Sequence, residues 1–416
     1  MTLIKTSVLS FIATIFKVIS GLVINKVISI YIGPAGLAMI GQFQNFMDLV
    51  RLVAQAAINN GVVKYTASYK DEESLKSLFS TSMKITIIFS AIVGVSVFAF
   101  SNYLSLYIFK LIDYSYIFQI LGFSIIFFSL NNLLLSILNG LKEIKTFIFI
   151  NIVQSVYSLI FTSLLIIYFS FKGALIAMVT NQSIIFIVLL WIVRKHKLIK
   201  LSSFMKQFSL IEATKLSKFA MLGITSSILY PVYLIYIRNI LIENVGLDSA
   251  GIWQGMHYIS ITLSGIVFTT LSTYYLPKLS EIESRNMIYK ELYLAYIFIV
   301  PILIAGLVVV FLLKDFIILT LFTEKFLNMR ELFLFQLMGD LFRVMAFLLT
   351  TIVVAKARIK IAIYSEFFFY TISAIIVFFM IENYGLIGVS YAHAISYAIY
   401  FLYGIIVFRK VTNEMQ

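Results

Sequence analysis

The sequence predicts an all-α integral membrane protein of twelve transmembrane helices in two pseudo-symmetric six-helix bundles. Three observations lead there. Apolar residues dominate and come in long runs, positive charges collect in alternate connecting segments, and the second half of the chain repeats the first at a nearly constant offset.

The 416 residues are 61% hydrophobic and 12% charged, with a mean hydropathy of +1.00. A soluble domain averages about 25% charged residues, and its core cannot absorb apolar runs of this length. A secreted globular domain, a nucleic-acid-binding protein and a disordered chain are excluded. The surplus of 32 Lys and Arg over 19 Asp and Glu would suggest nucleic acid in a soluble protein. In a membrane protein it reflects basic residues gathered on the cytoplasmic side. The absence of cysteine excludes a disulfide framework and a zinc–cysteine site. His196, His257 and His393 are too scattered to form a metal cluster, so neither metal nor cofactor is expected.

A spanning helix needs about 20 residues. The runs place spans at about 7–32, 36–62, 80–101, 116–140, 147–169, 173–193, 214–242, 250–273, 291–313, 331–355, 361–381 and 385–408. The first is too long for a signal-peptide core and reads as a retained span. With the N-terminus inside, the inner segments hold 21 Lys and Arg, from Lys5 to Lys410. The outer ones hold five: Lys110, Lys172, Lys314, Lys325 and Arg330. That asymmetry places both termini in the cytoplasm. The longest inner loop is strongly basic and sits at mid-chain. The expected organisation is therefore an N-terminal lobe over 1–195, a basic linker over 196–213 and a C-terminal lobe over 214–416.

At a shift of 215, Ala35-Gly36-Leu37 falls on Ala250-Gly251-Ile252, Ile144-Lys145 on Ile359-Lys360, Gly173 on Gly388 and Arg194-Lys195 on Arg409-Lys410. Such a repeat implies two bundles of like orientation about an axis along the membrane normal, with a substrate site between them.

Six basic residues fall within or near spans: Lys17, Lys26, Arg51, Lys84, Arg238 and Arg343. Lys84 and Arg238 lie near span ends, where snorkelling is an alternative. Lys17, Arg51 and Lys26 lie deeper, where charge marks a pathway or faces a wet interior. In the second span Asn45, Asp48, Arg51, Gln55 and Asn59 fall within about 120° when each residue advances about 100°. In its repeat partner, the eighth, Gln254, His257, Ser260 and Ser264 do the same. Such faces line an aqueous cavity or pack on other polar groups; Asp48 and Arg51, three apart, can also satisfy each other. A cavity carrying Lys17, Arg51, Lys26, Arg238 and protonated His257 favours an anion, and guanidinium matches phosphate geometry. Tyr230, Tyr233, Tyr236, Trp253 and Tyr258 could stack on sugar rings or serve as interfacial aromatics. Asp48, Asp340 and Glu366 are candidates for ion coupling. Asp340 and Arg343, three apart, could instead form a structural pair, and His393 could simply pack.

No phosphate-binding loop, nucleophile elbow or zinc-protease motif is present, and no loop is long enough for an enzyme domain. The expected function is transport, not catalysis, driven by an ion or substrate gradient. A glycan polymerase or ligase would need a large external loop, and the longest outer stretch, about 314–330, is short.

Several segments carry a family resemblance: Gly33-Pro34-Ala35-Gly36-Leu37, Gly61-Val62-Val63-Lys64-Tyr65, Leu216-Ser217-Lys218-Phe219, Gly251-Ile252-Trp253-Gln254-Gly255, Leu276-Pro277-Lys278-Leu279-Ser280 and Phe335-Gln336-Leu337-Met338-Gly339-Asp340. With them the whole chain resembles the O-antigen and lipid III flippases (Wzx type) of the polysaccharide transporter family. These belong to the MOP superfamily, with the multidrug and toxin extrusion (MATE) transporters and the lipid II flippases. The resemblance implies two lobes alternating between inward- and outward-open states. It implies transfer of an undecaprenyl-pyrophosphate-linked oligosaccharide, such as an O-antigen repeat unit, across the bacterial inner membrane during polysaccharide biosynthesis. Membrane lipids and H+ or Na+ become expected partners, with a glycan polymerase and a chain-length regulator as further candidates. Basic residues on the first and second helices of relatives correspond to Lys17 and Arg51. The eighth-helix cation of some relatives is matched by His257, an imidazole mostly neutral at pH 7. A MATE-type drug antiporter is the alternative; it would want acids to dominate the cavity.

Overall fold

The computed structural model describes the backbone of residues 3–194 and 196–415, with side chains described except at 3–11, 219, 221–223, 225, 226, 270, 272 and 273. Lys195 and the side chains of Lys5 and Phe219, used in the sequence reading, lie outside the described residues. The chain is helical throughout, with no β-strand among the described residues. In order the helices are α1 (Leu3–Tyr31), α2 (Gly33–Ala54), α3 (Asn59–Ser68), α4 (Glu72–Ala99), α5 (Ser101–Phe109), α6 (Ser115–Gly140), α7 (Ile144–Val193), α8 (Leu210–Asn244), α9 (Leu247–Glu281), α10 (Arg285–Leu312), α11 (Lys314–Leu321), α12 (Phe333–Ala355) and α13 (Ile359–Asn413).

By length and apolar composition seven of the described helices could cross a membrane, or eight if a bent pair within α9 counts as one span. Two of the seven are double. α7 has 50 residues and leaves helical geometry at Ser170 (φ 48°, ψ −128°); α13 has 55 and does so at Gly385 (φ 60°, ψ −135°). Each break separates two expected spans. With α2–α3 and α8, the arrangement fits twelve.

The chain divides into two compact units, one of residues 1–32 and 42–231, the other of 33–41 and 232–416. Within each unit the offset of 215 reappears as geometry. Lys142 (φ 59°) and Ala357 (φ 52°) turn the chain between equivalent helices. Ser170 and Gly385 break equivalent helices. In each case the glycine three residues on, Gly173 or Gly388, lies against a carbonyl one turn before the break, that of Leu165 or Met380. The cores match too. Leu133, Leu134, Ile137, Leu138 and Val193 are buried in the first unit, and Leu348, Leu349, Ile352, Val353 and Phe408 in the second. Equivalent helices α6 and α12 are the most enclosed of the apolar spans, each 56% buried over its most apolar window, whereas α10 is 6% buried. An apolar helix left this bare belongs against lipid.

Two helix starts show how local chemistry sets the boundaries. Pro34 opens α2, where its missing N–H costs nothing. Asp71 caps α4 by accepting from the Ser74 N–H at 2.7 Å, with Glu72 and Glu73 following in the first turn, where the helix dipole favours acids. The Ser74 hydrogen bonds hold the Asp71 carboxyl below its ordinary pKa.

The expected single span over 36–62 is broken. α2 ends at Ala54, Ala56 and Ala57 both take positive φ (49° and 50°), and α3 starts at Asn59. Nothing in composition marks two alanines for the left-handed region, which ordinarily favours glycine.

The basic segment 196–209 is folded onto the first unit. The Lys206 carbonyl accepts from Ser80 Oγ at 2.6 Å and Lys84 Nζ at 2.5 Å; the Ser209 N–H donates to Thr81 Oγ1 at 3.1 Å. Beyond it, Tyr69 donates to both oxygens of Glu212 (2.9 and 2.7 Å), while Lys215 Nζ donates to Tyr69 at 2.6 Å and Glu212 at 2.9 Å. Burial raises the Tyr69 pKa, so the phenol stays protonated and keeps donating. Glu212 is buried and depends on these donors.

Two predictions follow from this packing. Gly173→Ala and Gly388→Ala each drive a methyl into a backbone carbonyl and should cost about 1–3 kcal/mol. Gly265→Ala and Gly306→Ala, with nothing within 4 Å of the added carbon, should be neutral or slightly stabilising. Thermal unfolding of the purified protein in detergent measures all four. In the same assay Tyr69→Phe should cost about 1–3 kcal/mol by depriving a buried carboxylate of a donor, whereas Tyr103→Phe, on an exposed ring, should not change the midpoint.

Candidate functional site

In the first unit α2 carries the charged part of the expected polar face. Arg51 Nη1 donates to Asp48 Oδ1 at 3.1 Å, and the guanidinium carbon lies 4.1 Å from the centroid of the Phe128 ring on α6. The pair is not closed off: the Arg51 side chain is 24% exposed and that of Asp48 45%. Arg51 Nε and Asn45 Nδ2 are buried without a hydrogen-bond partner among the described residues. Gln55 and Asn59 stay close, but across the break, where Asn59 Nδ2 donates to Gln55 Oε1 at 2.6 Å. On α1, Lys17 is exposed and Lys26 half-buried.

Sequence reading missed a set of neutral groups beside Phe128. One turn after it, Asn132 Nδ2 donates to the Phe128 carbonyl at 3.2 Å and to Gln182 Oε1 of α7 at 3.3 Å. Neighbouring Asn181 donates to Ser158 across the two halves of α7. The signal was there. Asn151, Ser155 and Ser158 recur at i, i+4 and i+7 and so share one face of the fifth span. Asn131 is fully buried, with neither side-chain polar atom bonded among the described residues.

In the second unit the polar face of α9 is largely closed. Arg238 is fully buried, donates to Gln254 Oε1 and lies 5.5 Å from the Trp253 ring. The first residues of α2 make room for it. A Cβ on Gly41 would stand 2.5 Å from Gln254 Oε1 and 2.9 Å from the Arg238 guanidinium. His257 stacks on Trp253, ring centroids 5.4 Å apart. Ser260 Oγ donates to Asp340 Oδ1 at 2.6 Å, and Gln336 Nε2 donates to Ser260 at 3.2 Å. His393 Nε2 lies 3.1 Å from the same Asp340 oxygen. Arg343 lies over the rings of Phe268 (5.1 Å) and Tyr397 (5.6 Å). Ser264 is buried, and Glu366 is half-buried on α13. Of the aromatics, Tyr233 bonds to Ser373, and Tyr236 donates to the Ala374 carbonyl at 3.2 Å; both serve helix packing on α13. Among the described residues no group of three or more His, Asp or Glu could hold a metal ion.

The structure thus joins Asp48 with Arg51, Gln55 with Asn59, Arg238 with Gln254, and Ser260 with Asp340. The open, charged group is on α2; the closed ones are on α8, α9, α12 and α13.

Comparison with known proteins places the fold. Over 402 residues, 96% of this chain and 97% of its relative, the sequence is 28% identical to the lipid III flippase of Escherichia coli (strain K12); the lipid III flippase of Shigella flexneri matches to the same extent. Among solved structures, the lipid II flippase MurJ in an inward closed conformation superposes with a TM-score of 0.76 at 17% identity, covering 98% of this chain and 87% of that one. An inward-facing multidrug resistance MATE family transporter of the MOP superfamily superposes with a TM-score of 0.74 at 13% identity, covering 96% of both chains. The fold is therefore the one these two transporters share. The family model described as polysaccharide biosynthesis protein matches residues 3–283, most of the chain, and this multi-pass membrane protein belongs to that family.

Proposed function

We propose that the protein flips an undecaprenyl-pyrophosphate-linked oligosaccharide from the cytoplasmic to the periplasmic leaflet of the bacterial inner membrane by alternating access, with both termini in the cytoplasm. The observation that carries the reading is Arg51. It is a guanidinium on a membrane helix, partly exposed, oriented by Asp48 and Phe128 and left with donor capacity. A diphosphate accepts from a guanidinium through two parallel hydrogen bonds, which fixes its orientation as well as its charge. Lys17, an exposed cation on α1, supplies a second positive charge, with Lys26 nine residues further along the same helix. The amides and hydroxyls of Asn132, Gln182, Asn181 and Ser158 suit the uncharged hydroxyls of a glycan. Support comes from the match to lipid III flippases along nearly the full length of both chains.

In this scheme Arg238 and His257 shape the second unit from within, Arg238 through Gln254 and His257 through Trp253. Ion coupling falls to Asp340, whose buried carboxylate faces both a hydroxyl and an imidazole. Asp48 and Glu366 are the other acids that could exchange H+ or Na+. The functional lobes are those of residues 1–195 and 214–416, joined by the basic segment 196–213. A drug antiporter is the second reading, favoured by the MATE-like fold and the buried acid Asp340.

Complementation of a strain lacking its lipid III flippase tests the site. The wild-type chain is expected to restore surface glycan. Arg51→Ala should abolish it at unchanged membrane abundance, and Arg51→Lys, which keeps the charge but not the fork, should retain a fraction. Lys17→Gln should weaken it. Normal glycan with Arg51→Ala would remove the assignment. Restored resistance to cationic drugs without glycan would favour the antiporter.

Asp340 gives a separate test. Asp340→Asn should leave transport by purified protein insensitive to an imposed pH gradient, whereas the wild-type rate follows it. Equal sensitivity in both would move coupling elsewhere.

A further inference from the structure

The first unit holds a cavity of about 380 Å³ whose lining includes none of the residues assigned to the glycan. That volume lies in the range of about 300–1,000 Å³ usual for small-molecule sites. Its walls are apolar: Leu130 and Leu134 of α6, Phe186 and Leu190 of α7, and Phe204 from the segment after α7. Its polar lining groups are two cations, Arg194 and Lys200. No acid, amide or hydroxyl side chain takes part.

The pocket is built. Phe204 packs against Phe79 of α4, ring centroids 6.0 Å apart, and the Lys206 carbonyl is held by Ser80 and Lys84. The basic segment therefore folds back as a fixed floor. On the other side Leu190 is 45% exposed and Leu201 75% exposed, so the walls continue onto an apolar surface. Arg194 lies 4.7 Å from the ring of Trp191, which is itself exposed. An exposed Trp beside an Arg at a helix end marks the level where hydrocarbon gives way to headgroups.

We infer that this pocket binds an anionic membrane phospholipid, one acyl chain lying along Leu130, Leu134, Phe186 and Leu190 and the phosphate on Arg194 and Lys200. The ligand follows from charge complementarity. Two cations at one end of an apolar slot call for a single anionic head on a hydrocarbon chain, and basic pockets between membrane helices on the cytoplasmic side recognise such headgroups. A lipid-linked glycan fits poorly, because no neutral hydrogen-bonding side chain is present to meet its sugars. The inference rests on the membrane placement of α6 and α7, not on the transported cargo.

The test uses the full-length protein in phosphatidylcholine nanodiscs doped with phosphatidylglycerol bearing a diazirine on its acyl chain. Photolabelling followed by peptide mapping is expected to mark residues 130–134 and 186–193. Unlabelled phosphatidylglycerol should compete and phosphatidylcholine should not. Arg194→Gln with Lys200→Gln should cut labelling about fivefold or more, since each basic residue near an anionic headgroup contributes roughly that factor. Lys314→Gln with Lys325→Gln, basic residues remote from the pocket in sequence, should leave it unchanged. Leu134→Trp, which fills the slot with the charges intact, should also reduce labelling. The inference is overturned if phosphatidylcholine competes equally in the wild-type protein or if the label maps elsewhere. It is likewise overturned if undecaprenyl diphosphate displaces the probe more strongly than phosphatidylglycerol does, which would give the pocket to the cargo lipid.

Discussion

A polar side chain at bilayer depth has few ways to exist. It pairs with another polar group, reaches an interface, or faces water, because hydrocarbon offers no partner. The arrangement of this protein follows from how each unit meets that constraint. In the second unit the groups close on one another: Arg238 on Gln254, Asp340 on Ser260 and His393. In the first unit they stay partly open. Arg51 and Asp48 share one hydrogen bond and keep exposed surface, and Gln55 and Asn59 bond across a break. Two units of matching backbone thus carry unlike polar interiors. The repeat is preserved in what packs, and departs in the polar side chains.

The backbone tells the same story. Shared features of the repeat include the left-handed residues Lys142 and Ala357 and the breaks at Ser170 and Gly385. Glycine accepts such a conformation without strain, whereas a serine there is held by its surroundings. Ala56 and Ala57 add a further break in the first unit, between α2 and α3. Non-helical backbone at membrane depth persists only where protein or water satisfies it. The break in the second span falls between Arg51 and Asn59, on the face with the open polar groups. Its place there turns what would be a continuous stripe into two helix ends linked by the Asn59–Gln55 hydrogen bond.

Much of this was legible in the sequence, and the reasons for the rest are physical. Twelve apolar runs and the 215-residue offset could be read because both depend on hydrophobicity and glycine placement, which are encoded residue by residue. The pairing of Asp48 with Arg51 stood open as an alternative and is present, since three residues on a helix bring side chains together wherever the helix goes. Bonds between distant helices were not legible. Asp340 was weighed against its neighbour Arg343, yet it bonds to residues 80 and 53 positions away. Arg238 looked like a snorkelling group near a span end, and only the packing of α9 and the small Gly41 shows it buried. The amides of α6 and α7 escaped notice because they are uncharged, although their helical spacing was available.

The Asp48–Arg51 pair bears on what a flippase needs from its binding site. A bare guanidinium in a low-dielectric setting would hold a diphosphate strongly, since two charges attract far more there than in water. A carrier gains nothing from affinity that it cannot surrender on the far side; binding must be strong enough to load and weak enough to release. A carboxylate 3.1 Å away meets that need. It fixes the guanidinium plane against Phe128, so little ordering is left to be done when the ligand arrives. It also competes for the same donors, so the ligand displaces an interaction instead of filling a void. The net charge of the pair is zero, which leaves selectivity for anions to the additional cations of α1. Within the proposed site, Asp48 tunes the hold of Arg51 on the ligand even though its own charge opposes the ligand. The same reasoning explains why an acid in the first unit is no evidence for a cationic cargo.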